Sequence, residues 1–205
     1  MFRAEELDRS LVEAGLMADP ALFMRLAAAY REPGRYYHTE KHISECLENF
    51  AAVRHLAERP CEIEIAIWFH DAVYDTHRDD NEERSAAWAR KYLAERGANA
   101  AAVQRIVDMI LATRTHEPGD GDAPLMVDVD LGILGASPAA FEAYDAAIRK
   151  EYRWVPEAQY RKGRADVLRR FLTRPNIYTT PTFRNAYEDR ARSNLESGIA
   201  RLTKS

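Results

Sequence analysis

The chain has 205 residues, 46% of them apolar and 30% charged, with a formal net charge of −4. That is enough apolar content for one domain with a sizeable core, and the slight acidity gives no basic footprint for a nucleic acid polymer or a membrane surface. The two cysteines, Cys46 and Cys61, form no CxxC pair and no zinc framework, so both read as reduced thiols of a cytoplasmic protein.

The start, "MFRAEELDRS", is charged and lacks the apolar core of a signal peptide. No apolar run approaches the roughly 20 residues of a membrane span. Asp19-Pro20 then opens "ALFMRLAAAY", with proline in the first helical turn. Thr39 precedes "EKHISECLENFAAVRHLAE", where its hydroxyl can cap free backbone N–H groups. Helical periodicity continues near 60–73, 81–96 and 99–115, with a Gly-, Pro- and Asp-rich loop over 115–124. In "LMVDVDLGIL" the alternation of Val127, Val129 and Leu131 resembles a strand, but its neighbours favour a short helix. Ser137-Pro138 opens another helix, and two more follow near 156–173 and 183–202. The expectation is an all-α, single-domain helical bundle of about nine or ten helices.

The stretch "IAIWFHDAVYD" carries the chemistry. On a helix, Ile63, Ala66, Ile67, His70, Asp71 and Tyr74 share one face, so an imidazole and a carboxylate point where core residues point. An unpaired buried carboxylate costs several kcal/mol or is neutralised. A divalent cation removes that penalty, and imidazole and carboxylate are its usual non-thiolate ligands. A buried His–Asp pair hydrogen-bonded to nearby backbone is the alternative. His42 lies at the inward edge of the helix capped by Thr39, and Asp130 stands among apolar neighbours, with Asp128 as a competitor. His42, His70, Asp71 and Asp130 would make a two-histidine, two-carboxylate site with open positions for water or substrate.

The ordered segments "RYYHTEKHI", "AIWFHDAVYD", "NEERSA", "DVDLGILG", "IRKEY" and "ARSNL" run from about residue 35 to 195. In this order they resemble the HD superfamily of metal-dependent phosphohydrolases, and most closely its small predicted members of about this length. The resemblance implies an HD-type helical domain, its motif-bearing core over about 35–135 and a C-terminal helical extension over about 137–205. It implies metal ligation by His42, His70, Asp71 and Asp130 and hydrolysis of a small phosphorylated metabolite or nucleotide; the charge balance, in turn, gives no expectation of a membrane or nucleic acid polymer as partner. A homodimer is left open. The ligand set does not distinguish Mn, Mg, Fe, Co, Ni and Zn.

Further candidates surround this set. The hydrolase domain of ppGpp-metabolising enzymes carries "HDxxED" where this chain reads "HDAVYD", so Asp75 matches and Tyr74 replaces the glutamate. Asp75 is the candidate for water positioning or general base work, beside Asp71. His116, at a helix end, and His38, four residues before His42, are candidates for substrate contacts or for a second metal; solvated or turn histidines are the alternative. Arg35 and Lys41, flanking His38 and His42, are the best placed cations for phosphate, with Arg149 and Arg164 behind them. Glu82 or Asn81 could close the rim, although a capping role for Asp80 or Asn81 is the simpler reading. Two other function classes remain open: a di-iron HD-fold oxygenase, which would need His116 and one more histidine, and a nucleotide-binding sensor module without turnover.

Overall fold

The structure is a computed structural model that describes residues 2–117 and 119–204. Among these residues it is all-α: ten α-helices, two 3₁₀ turns and no strand. The backbone contacts fall into two compact units divided between Asp130 and Leu131. Among the described residues no single helix is long and apolar enough to cross a membrane.

The first unit holds α1 (Ala4–Glu13), α2 (Pro20–Tyr30), α3 (Glu40–Val53), α4 (Pro60–Phe69), α5 (Asn81–Glu95), α6 (Ala100–Thr115) and α7 (Ala123–Asp130). The caps act as their sequence suggests. Asp19 accepts from the Ala21 N–H at 3.0 Å and Thr39 from that of Lys41 at 3.3 Å. Helix α1 was not among the expected elements, yet Leu7 and Leu11 give it an apolar stripe at i, i+4 spacing, and both are fully buried.

Helix α4 is the centre of this unit and packs against α1, α3, α5, α6 and α7. Every residue from Glu62 to Phe69 is buried, so the helix has no solvent face. Its two carboxylates are paired. Glu62 takes a bidentate contact from Arg105 at 2.7 and 2.5 Å. Glu64 accepts from Ser10 at 2.7 Å, Arg54 at 2.9 Å and Arg9 at 3.1 Å. The helix stops at Phe69, four residues before the expected end at 73. The His70 N–H still bonds the Ala66 carbonyl at 2.9 Å, and the Ala72 N–H tightens to Phe69 at 2.9 Å. Beyond this turn the chain leaves the helix inside the core.

The second unit begins with a 3₁₀ turn, Leu131–Gly135, followed by α8 (Pro138–Glu151), α9 (Glu157–Leu172) and α10 (Pro181–Thr203). The stretch that alternates like a strand is therefore helical throughout, divided between α7 and this turn. The "ARSNL" segment has a structural task here. Asn194 is buried and donates to the Leu134 and Ala136 carbonyls at 2.8 and 3.0 Å. A Cβ at Gly135 would fall 2.5 Å from that of Tyr187, so only glycine fits that contact.

Candidate metal centre

Four of the singled-out side chains converge in the first unit. His42 projects from the first turns of α3, His70 and Asp71 from the end of α4, and Asp130 from the last residue of α7. The Nε2 atoms of His42 and His70 face each other at 3.2 Å. Asp71 Oδ2 lies 3.1 Å from His70 Nε2 and 3.4 Å from His42 Nε2. Asp130 Oδ1 lies 3.1 Å from His42 Nε2 and 3.4 Å from His70 Nε2. The side chains of His42 and His70 are 3% and 1% exposed and those of Asp71 and Asp130 are 15% and 12% exposed, so the carboxylates form the open side.

These spacings fit ligands of one small cation. Each of these five donor pairs, at 3.1–3.4 Å, has the separation of two ligands on one cation about 2.0 Å away in tetrahedral geometry, or roughly 2.3 Å away as neighbours in an octahedron. The tautomer also fits. His70 Nδ1 lies 2.9 Å from the Ile67 carbonyl, which can only accept, so Nδ1 carries a proton and Nε2 is the nitrogen whose lone pair a metal would take once its own proton is displaced. The alternative of a His–Asp pair satisfied by backbone describes only this Nδ1 side of the ring. Groups that can hold a metal ion are His42, His70 and Asp71, and His42, Cys46 and Asp130. Cys46, one turn after His42 and buried, has its Sγ 3.7 and 3.8 Å from the two ring nitrogens. By sequence alone it is a plain reduced thiol, with i, i+4 spacing from His42 as its one link to the site.

Without an ion the cluster is a set of opposed charges. Burial works against the charged ring of His42, yet the thiol of Cys46, the phenol of Tyr37 and the carboxylates of Asp130 and Asp71 raise its pKa well above the ordinary value. His70 is raised in the same way against burial, by Asp71 and Asp130. Burial pushes the Asp71 carboxyl up, but His70, His38 and His42 hold it well below the usual range. Asp130 is likewise lowered against burial by His116, His42 and His70. A cation entering the cluster must displace protons from the imidazoles.

Around these four, the other candidates divide. His116 caps the end of α6 with a left-handed backbone, φ 51°, unusual for a residue with a side chain. That turn brings its Nε2 to 3.0 Å from Asp130 Oδ2, the oxygen not turned to His42. His38 stacks on Tyr74 with ring centroids 4.1 Å apart, and its charge acts on Asp71. Glu82, in the first turn of α5, is half-buried, and burial and the charge of Asp71 raise its carboxyl.

Five candidates are engaged with other partners. Asp75 is exposed and accepts from the backbone and ring of His77 at 2.9 and 3.2 Å, so none of its contacts reaches the cluster. The Lys41 side chain is 82% exposed on α3 and pairs with Glu45. Arg35 is buried and gives its guanidinium to backbone carbonyls. Arg149 and Arg164 are engaged within the second unit, with Glu157 and Asp145. "NEERSA" acts on the turn after α4. Asn81 exchanges two hydrogen bonds with the Asp75 backbone at 3.0 Å, and Ser85 Oγ accepts from the Val73 N–H at 3.0 Å.

No family model, curated protein or solved structure matches the chain. What the site can do follows from its own chemistry.

Proposed function

We propose that the protein is a metal-dependent phosphohydrolase of the HD type, acting on a small phosphorylated metabolite or nucleotide. The observation that carries this reading is that one carboxylate oxygen each of Asp71 and Asp130 lies within 3.1–3.4 Å of the facing Nε2 atoms of His42 and His70, with the two carboxylates at the open side. These four residues would hold the ion, and the motif order supports the HD assignment. A divalent cation supplies acidified water and polarisation of a phosphoryl oxygen.

The chain's own residues supply the rest. Glu82, beside Asp71 and raised in pKa, takes over from Asp75 the task of orienting water and accepting its proton. His116, 26% exposed and bonded to Asp130, can exchange protons with solvent and hand one to the leaving group. His38, held by its stack on Tyr74, contacts the phosphate. Arg35 is not available for that contact, because its buried guanidinium is taken by backbone carbonyls.

A second reading has a specific observation behind it. Asp130 offers one oxygen to His42 and the other to His116, so in the di-iron oxygenase reading Asp130 and His116 would help to hold a second ion. The first reading requires one metal per chain, with His38 and His116 as proton carriers or phosphate contacts. The test is a panel of phosphomonoesters and nucleotides assayed with each candidate metal, beside Asp71→Ala. Turnover that needs metal and vanishes in the variant supports the proposal. Binding of nucleotide with no turnover under any metal favours the sensor module.

A further inference from the structure

We infer that Arg35 is a positioning residue for the metal cluster: its buried guanidinium clamps the turn that carries His70 and Asp71 to the segment that leads into His42. This rests on the metal reading above.

The clamp is built from sequence upward. In "EPGR", Gly34 has φ +101°, a backbone that side chains rarely adopt, with nothing within 4 Å of where a Cβ would stand. The glycine is therefore required by conformation and not by space, and it turns the chain inward just before Arg35. The Arg35 side chain is 2% exposed. Its Nη1 donates to the Asp71 carbonyl at 2.7 Å and the His38 carbonyl at 3.1 Å. Its Nη2 donates to the Ala72 carbonyl at 3.1 Å and Glu32 Oε2 at 3.3 Å. Two aromatic faces flank the cation, Tyr30 at 5.3 Å and Tyr74 at 5.5 Å. Tyr30 in turn donates to the Trp68 carbonyl in the last turn of α4 at 2.9 Å.

One planar fork thus joins the two segments that present ligands. The carbonyls of Asp71 and Ala72 lie where α4 has ended, so no helical N–H follows to take them. Arg35 supplies those donors and, through His38, fixes the approach to α3. An ammonium cannot reproduce this, because a lysine is a single point and the carbonyls lie on both arms of the fork. The same geometry leaves Arg35 no exposed face for an anionic substrate.

Charge and geometry make opposite predictions here. A fixed cation near a cation site weakens metal binding by repulsion, so a purely electrostatic Arg35 predicts tighter binding when it is removed. A clamp predicts weaker binding, because the ligands lose their common focus. The experiment is a Co²⁺ titration of chelator-treated protein, followed by visible absorption, for the wild type, R35M, R35K and the core control L22A. R35M keeps the apolar stem between Tyr30 and Tyr74 but has no donors. The clamp predicts Co²⁺ affinity at least about tenfold weaker in R35M, with a shifted visible band and a smaller loss in R35K. L22A, which removes a buried α2 side chain with no bond to the cluster, should lower the melting temperature yet keep Co²⁺ affinity within about twofold. Equal or tighter binding by R35M overturns the clamp, as does an equal loss of affinity in L22A. If R35M does not fold, R35K is held to the same criteria. A wild type that takes up no Co²⁺ overturns instead the metal reading on which the clamp rests.

Discussion

Asp71→Ala removes one of the two carboxylates that face the paired imidazoles, and its effect on the metal-free protein should depend on pH in a defined way. Asp71 Oδ2 makes one close contact, 3.1 Å to His70, and one longer contact, 3.4 Å to His42. Hydrogen bonds to charged groups contribute about 1.5–3 kcal/mol each, so one good and one weak contact give ~2–4 kcal/mol. His42 and His70 have raised pKa values. Their contribution is fully present below their unfolded value of about 6.5 and is lost as pH rises through the folded values. Asp71 is lowered, so its contribution is present above its unfolded value of about 3.9 and is lost as pH falls through the folded value. The deficit of the variant is therefore largest between these limits, near pH 5–6.5, and shrinks on the alkaline side. For a chain of this length it corresponds to a melting temperature lower by roughly 5–15 °C. Far-UV circular dichroism of chelator-treated wild type and variant at acid, neutral and alkaline pH measures it. The helical fold should survive, because the total stability of a domain exceeds this loss. Added divalent metal should raise the melting temperature of the wild type alone. A deficit that is the same at every pH, or absent, would refute the charged cluster.

Three further outcomes are expected. Because both imidazoles are raised, metal binding near neutral pH should release about one to two protons per ion, measured by calorimetry in buffers of different ionisation enthalpy; no release would contradict the protonated cluster. His116→Ala should keep its metal but lose about 10²-fold in turnover, as a missing acid–base group does; loss of one of two bound equivalents would show a second ion instead. Glu64→Ala strands Ser10, Arg9 and Arg54 around α4. It should cost about 2–3 kcal/mol in urea unfolding, less than a fully buried pair because the arginines can hydrate. A cost near zero would mean that those contacts contribute nothing.

Local signals carried much of this fold. Asp19, Thr39 and Ser137 are caps whose hydrogen bonds are made within a few residues, so the starts of α2, α3 and α8 could be read directly. The dipeptide His70–Asp71 at the end of an apolar run could be read as out of place among core residues. What was not legible depends on contacts between distant segments. Arg35 beside "YYH" resembles a phosphate contact, and only the carbonyls of Asp71 and Ala72, 36 and 37 positions away, show it as interior. The end of α4 was misplaced for the same reason, since that turn is held by Arg35, Ser85 and Asn81 from other elements. Asp75 shares helical spacing with Asp71 only while the helix continues. It ends at Phe69, and Asp75 turns to solvent. Glu64 lies in the middle of an apolar helix, and nothing local tells that Ser10, Arg9 and Arg54 will meet it.

The most direct measurement is the metal content of the full chain purified without chelator, determined by elemental analysis beside Asp71→Ala prepared in the same way. The account predicts one equivalent of a transition or divalent metal per chain in the wild type and none in the variant. A wild type without metal that also takes none up on incubation would contradict it, and so would a variant that retains the full equivalent.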